Sequence, residues 1–201
     1  MKRLGVLLSG SGTNLQAIID AIAEGELEAE IVLVVSSKPD AYGLKRAHEA
    51  GIPTMALSPE AYVDPLMADV IIAKELKSAG AEFVVMAGYM RMVGHPLLEA
   101  YPNRIVNIHP ALLPSFKGAR GILDAYNAGV KVTGVTVHFA NEVYDEGPII
   151  AQRVVVVYEE DTLESLEAKI HAVEHKLYPA VLQLIATDRV TVGPTGKVSI
   201  S

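Results

Sequence analysis

The sequence has no cysteine among its 201 residues, which excludes disulfide staples, thiolate-ligated zinc and thiol catalysis. It has no apolar run near the roughly 18 to 20 residues that a membrane-spanning helix needs. Basic charge is not in excess: 17 Lys and Arg stand against 24 Asp and Glu, a net charge of −7, so no electrostatic footprint for nucleic acid is expected. A Gly/Ser/Pro linker, an internal repeat and a low-complexity segment are all lacking as well. The opening Met1–Val6 leads straight into strand-like sequence and does not read as a signal peptide. What remains is globular composition, half hydrophobic and one fifth charged. A chain of this size buries roughly 70% of its unfolded surface. The expectation is a cytoplasmic protein with one domain over residues 1–201.

Short apolar runs alternate with stretches of helical period. Residues 3–8, 31–35, 83–87, 105–108, 135–139 and 149–157 read as strands, and the early ones are continuously apolar, as in strands buried on both faces. Residues 14–24, 43–50, 66–79 and 122–128 read as helices between them. This alternation predicts βαβ units and an α/β fold with an open, doubly wound, mostly parallel sheet. A last helix carries the apolar stripe Leu163, Leu166, Ile170, Val173, Leu177, Val181 and Leu184. Asp161 with Glu164 gives it an aspartate version of the capping box, and Pro179 predicts a kink or break. The tail from Val190, with Gly193, Pro194 and Gly196, reads as a terminal hairpin.

Four segments could carry chemistry. Ser9-Gly10-Ser11-Gly12-Thr13-Asn14 lies between the first strand and the first helix, where backbone N–H groups and the helix N-terminus suit a phosphate. It is neither a Walker loop nor the dinucleotide fingerprint, since no Gly-Lys-Ser/Thr follows and Leu15 replaces the third glycine. The bland alternative is a tight turn capped by Thr13 or Asn14. In Asn107-Ile108-His109-Pro110, Asn107 and His109 share one face of a strand and Pro110 ends its pairing. An amide donor beside an imidazole suits an oxyanion and a proton transfer, at the strand end where α/β sheets bind ligands. Two capping side chains would look the same. In the acidic loop His138 to Pro148, Asp145 is placed to return to that sheet edge and raise the pKa of an imidazole. An acidic loop in solvent is the alternative. His171-Ala172-Val173-Glu174-His175 matches the inverted zinc-protease pattern, but no third ligand is evident, and Val173 facing the core would leave both histidines as surface residues. No metal is therefore expected.

Together, Ser9 to Ile18, Ala87-Gly88-Tyr89-Met90-Arg91, Asn107 to Pro114 and His138 to Pro148 resemble the phosphoribosylglycinamide formyltransferases of the folate-dependent formyltransferase family, in the right order over nearly the whole chain. The resemblance implies a Rossmann-like formyltransferase fold. It implies formyl transfer from 10-formyltetrahydrofolate, as co-substrate, to the amine of glycinamide ribonucleotide in purine biosynthesis. In these roles Asn107 donates to the oxyanion, and His109, protonated, stabilises it and donates a proton. Asp145 raises the His109 pKa and orders a relay water. Gly12, Thr13, Asn14 and Glu174 hold the ribonucleotide on the N-terminal side. Met90, Arg91, Met92 and Val93, with Asn107, Asn141, Glu142, Val143 and Tyr144, hold the folate. The implied partners are small molecules, without nucleic acid or membrane, and a homodimer is the assembly to test. Two departures stand out: Val63-Asp64-Pro65-Leu66 lacks the arginine that relatives often direct at the folate tail, and Arg120 replaces a histidine of some relatives. The rivals are a non-catalytic nucleotide-binding module, a formyltetrahydrofolate hydrolase, for whose extra N-terminal domain no room is expected before Arg3, and methionyl-tRNA formyltransferase, which would need a further C-terminal domain and a basic surface.

Overall fold

The side chains of strand β1 (Lys2–Leu8) divide the molecule into two cores. Leu4, Val6 and Leu8 point to one face of the sheet and Leu7 to the other, as a period of two requires. The computed structural model describes residues 1–201, the side chain of Tyr62 excepted. Strands β2 (Ala29–Ser36), β3 (Thr54–Ala56), β4 (Phe83–Met86), β5 (Ile105–His109), β6 (Val132–Phe139) and β7 (Ile149–Val156) complete a seven-stranded sheet ordered β3-β2-β1-β4-β5-β6-β7. The pairs from β3 to β5 are parallel, while β5–β6 and β6–β7 are antiparallel. The expected α/β class and mostly parallel sheet are thus what the chain adopts.

Helices α1 (Thr13–Ala23), α2 (Tyr42–Glu49) and α7 (Leu163–Ala186) cover the face of Leu4, Val6 and Leu8, with α6 (Gly121–Asn127) beside α7. Helices α3 (Pro59–Val63), α4 (Pro65–Ser78) and α5 (His95–Ala100) cover the other face, built around Ile72, Leu76 and Leu97. The strands and longer helices expected from periodicity are all present. The short β3, α3 and α5 had no sequence expectation, because three to six residues contain too few apolar positions to display a period. Strands β8 (Val190–Val192) and β9 (Val198–Ile200) form the terminal hairpin.

Helix α7 corrects three expectations. Its cap lies one residue later: Thr162 accepts from the Ser165 N–H at 3.2 Å and the Ser165 hydroxyl accepts from the Thr162 N–H at 3.1 Å. Asp161 is drawn away by Lys169, Ser165 and the Tyr158 N–H, which hold its carboxyl down at about 2. Pro179 does not break the helix, because Leu177, Tyr178, Val181, Leu182 and Ile185 on either side of it are buried and packing outweighs one missing backbone bond. Leu166, Ile170, Leu177 and Val181 of the stripe are buried as expected. Leu163, Val173 and Leu184 are only half-buried, and Glu174 is buried in their midst. Tyr178, fully buried, gives its hydroxyl proton to the carbonyls of Met86 and Val106 at 3.0 and 2.9 Å, fixing α7 against the ends of β4 and β5.

Candidate active site

A cavity of about 440 Å³ opens beyond the C-terminal ends of β1, β4 and β5, where an open α/β sheet presents its loops. The Ser9–Asn14 loop forms one wall. Gly12 precedes α1 with φ 70°, and neither Thr13 nor Asn14 caps the helix: no side chain binds the first-turn N–H groups, which leaves them available to an anion. The loop is braced from outside. The Gly43 N–H donates to the Gly10 carbonyl at 3.0 Å and Arg46 Nε to the Ser11 carbonyl at 2.9 Å. A Cβ at Gly12 would stand 2.6 Å from Gly43 Cα. Gly12→Ala is therefore expected to combine left-handed strain of about 1–2 kcal/mol with a backbone clash, lowering the thermal midpoint by several degrees, which calorimetry reads directly. An unchanged midpoint would mean that the loop is not held as tightly as its packing indicates.

Glu174 and Asn14 meet at the far side of this wall. The Asn14 amide donates to Glu174 Oε2 at 3.2 Å, and His171 Nδ1 lies 2.8 Å from the same oxygen. Hydrogen bonding to Glu174 raises the His171 pKa above its ordinary value. Both Asn14 and Glu174 are more than nine-tenths buried, and the Asn14 side-chain oxygen has no partner within the protein. His175 points elsewhere, into a groove between α1 and α7. Among the described residues no group of three His, Asp or Glu side chains is placed to hold a metal ion.

Asn107 and His109 project from the end of β5 on the same face, with Ile108 turned into the opposite core. Antiparallel pairing sets His138 of β6 opposite Asn107. The His138 Nδ1 lies 2.9 Å from the Phe139 carbonyl, which can only accept, so Nδ1 carries the proton. Nε2 is then the acceptor for the Asn107 amide N–H at 3.2 Å, which fixes the orientation of that amide. Asp145 returns to this edge because β6 and β7 are joined by a turn only glycine can make: a Cβ at Gly147 would lie 1.7 Å from the Phe139 carbonyl oxygen. Asp145 Oδ2 is 3.3 Å from His109 Nδ1 and accepts the Gly118 N–H at 2.9 Å, and Oδ1 is 3.6 Å from His138 Nε2. Burial pushes the Asp145 carboxyl up, but the Gly118 N–H and the His109 ring help leave it below the ordinary carboxylate value.

His109 is pulled two ways. Its Nε2 is 2.8 Å from the Phe116 carbonyl while Nδ1 faces Asp145, and only the imidazolium satisfies both contacts. Burial opposes that form, with 3% of the residue exposed. Burial is the larger effect: it lowers the pKa below 6.5, although Asp145 and the Phe116 carbonyl raise it. Burial and the Asp145–Phe116 pair thus pull the charge of this ring in opposite directions. Asp145→Asn removes the raising charge and is compatible with the left-handed backbone at φ 56°. The His109 titration midpoint, followed by NMR, is expected to fall further in that variant and kcat by about 10–100-fold. An unmoved midpoint would contradict the pairing.

A second, narrow cleft of about 20 Å³ joins Met92 and Val93 to Asn141, Val143 and Tyr144 around Asn107 and Asp145. Met90 and Tyr144 line the larger cavity. Arg91 and Glu142 line neither: Asp69 feels the charge of Arg91, and Glu142 lies 4.0 Å from His95. Asp64 is taken up as the cap of α4, accepting from the Leu66 and Met67 N–H groups, and Arg120 is an exposed residue before α6. Sequence reasoning assigned no role to His138 or to Lys38, which also lines the cavity. Neither the register of β6 on β5 nor the reach of the β2–α2 loop is written in local sequence.

The formyl transferase family matches residues 2–182. The chain belongs to the formyl transferase family. Its sequence is 43% identical to the phosphoribosylglycinamide formyltransferase of Bacillus subtilis (strain 168), covering 91% of this chain and 94% of that one. It is 41% identical to the human trifunctional purine biosynthetic protein adenosine-3, matching 98% of this chain and only 19% of that larger protein. The crystal structure of glycinamide ribonucleotide transformylase 1 from Symbiobacterium toebii superposes with a TM-score of 0.96 at 47% identity, covering 100% of this chain and 94% of that one. As a member of this family the chain is a formyl-transferring enzyme. No helix among the described residues is long and apolar enough to cross a membrane.

Proposed function

We propose that Asn107, His109 and Asp145 carry the transfer of a formyl group from 10-formyltetrahydrofolate to the amine of glycinamide ribonucleotide, the reaction of purine biosynthesis that the family relatives are named for. The observation that carries this reading is the packing of an amide, an imidazole and a buried carboxylate within 3.6 Å of their neighbours at a sheet edge, beside an uncapped helix N-terminus. A merely nucleotide-binding module would have no use for that cluster.

Attack of the amine on the formyl carbon forms a C–N bond and an oxyanion. The Asn107 amide, with one N–H given to His138, has a second to give to that oxygen. With Nδ1–H held by Asp145, His109 Nε2 accepts the proton that the amine nitrogen sheds, once that edge has exchanged the Phe116 carbonyl for substrate. The imidazolium so formed faces both the oxyanion and Asp145. Asp145 Oδ1, buried without a hydrogen-bond partner, is suited to order the water through which the proton reaches N10 of the folate. Breaking the C–N10 bond then releases tetrahydrofolate.

The first-turn amides of Gly12, Thr13 and Asn14 take the phosphate, and Glu174 with the unpartnered Asn14 oxygen takes ribose hydroxyl protons. The folate lies along Met90 to Val93 and Asn141 to Tyr144. Thus the N-terminal part of the single 1–201 unit serves mainly the ribonucleotide and the later segments the folate. The same reading takes the protein to be a cytoplasmic homodimer, without metal, acting on small molecules; its net charge of −7 opposes a polyanionic partner. The test follows a ¹³C-labelled formyl group by NMR. Its appearance in an amide, only when glycinamide ribonucleotide is present, supports the reading; labelled formate, or no change, overturns it.

A further inference from the structure

One buried hydroxyl stands between the two substrate-binding segments. Ser9, 5% exposed, follows β1 and opens the loop assigned to the ribonucleotide. Its Oγ accepts the Met90 N–H at 2.9 Å, and Met90 opens the segment assigned to the folate. Its backbone N–H donates to the Gly88 carbonyl at 3.0 Å, so the contact between the two loops is doubled. The same Oγ lies 2.6 Å from the hydroxyl of buried Ser37, whose own N–H donates to the Leu8 carbonyl at 3.0 Å. Ser37 precedes Lys38 and the helix that supplies Gly43 and Arg46 to brace the Ser9–Asn14 loop. The far end of the folate segment is anchored independently, by the Gly94 N–H donating to the buried Asp69 carboxylate at 2.5 Å. The segment Met90–Val93 is thus tied to Ser9 at its first residue and, just past its last, to Asp69.

We infer that Ser9 is a positioning residue that couples the two substrate sites, so that either ligand, by ordering its own loop, tightens binding of the other. This rests on the assignment of the ribonucleotide to the Ser9–Asn14 loop and of the folate to Met90–Val93. The physical reason is that an N–H and two hydroxyls share one junction. When one loop is fixed the junction is fixed, and the second ligand no longer bears that ordering cost. Reciprocity follows: the factor by which the ribonucleotide tightens folate binding equals the factor by which the folate tightens ribonucleotide binding. Ser9→Ala leaves the Met90 N–H and the Ser37 hydroxyl without that partner and, with only the backbone bond from Ser9 to the Gly88 carbonyl remaining, weakens the coupling.

The test uses glycinamide ribonucleotide and tetrahydrofolate, which cannot react with each other, and calorimetry of each alone and in the presence of the other. Wild-type protein is expected to bind tetrahydrofolate at least about fivefold more tightly when saturated with the ribonucleotide, within the usual range for coupled sites. In Ser9→Ala that factor is expected to fall below about twofold, with each ligand still binding alone. Ser37→Ala, which keeps the Ser9–Met90 bond, is expected to retain most of it and serves if Ser9→Ala does not fold. A loss of coupling in Ser37→Ala as complete as in Ser9→Ala, an undiminished factor in Ser9→Ala, or no coupling in the wild type, overturns the inference while leaving the proposed function intact. Failure of wild type to bind either ligand overturns the functional reading and this inference with it.

Discussion

His109→Ala is expected to lower kcat by about 10²–10⁴-fold while glycinamide ribonucleotide binds with little change. The ring sits at the end of β5, apart from the first-turn amides of α1 and from Glu174, so the groups proposed to hold the phosphate and ribose survive its removal. What disappears is the base proposed to take the amine proton and then to oppose the oxyanion as a cation. The ring is buried and its loss leaves Asp145 with one fewer partner, so the alanine variant should also be less stable. His109→Gln separates the two effects, because an amide can still donate to the Phe116 carbonyl but cannot act as a base near neutral pH. Its stability is expected near that of the wild type and its kcat as low as that of His109→Ala. Steady-state kinetics and calorimetry on the two variants check this. Near-normal turnover in His109→Gln would assign His109 to holding the loop at Phe116.

Asn107→Ala is expected to lower kcat by about 10²–10³-fold, the effect of removing one donor from an oxyanion site. The amide is oriented by His138, whose other nitrogen is committed to the Phe139 carbonyl, so its N–H groups are fixed before substrate arrives. That preorganisation is the source of the effect, since a donor already in place costs no reorganisation when charge develops. The loss should appear in kcat more than in KM, because the oxyanion exists only beyond the ground state. A rise in KM with kcat unchanged would instead show that Asn107 only grips a substrate.

Which parts of this site are legible in sequence follows from the range of the signal. Asn107 and His109 are two apart on a strand, and period two alone puts them on one face at the strand's end. The return of Asp145 is announced by Gly147-Pro148, and the uncapped loop at Gly12 by its glycines. Glu174 is different. The spacing of His171 and His175 suggests a metal motif, and only the packing of α7 shows the glutamate turned inward to Asn14 and His171. His138 depends on strand register, a long-range property. The direction of the His109 pKa also lay beyond local reading: the presence of Asp145 predicts a raised value, whereas the burial that outweighs it is a property of the whole fold. The short β3, α3 and α5 carry too few residues for any period, and the cap of α7 moved by one residue because Lys169, eight positions away, claims Asp161.

A ribonucleotide spanning from the α1 N-terminus to the Asn107–His109 edge is seen most directly in a crystal structure with glycinamide ribonucleotide bound. It should show the phosphate on the N–H groups of Gly12, Thr13 and Asn14, the ribose against Glu174, and the amine directed toward Asn107 and His109. A phosphate seated in the larger groove between α1 and α7, about 710 Å³ and lined by Arg46, His175 and Lys176, would contradict it.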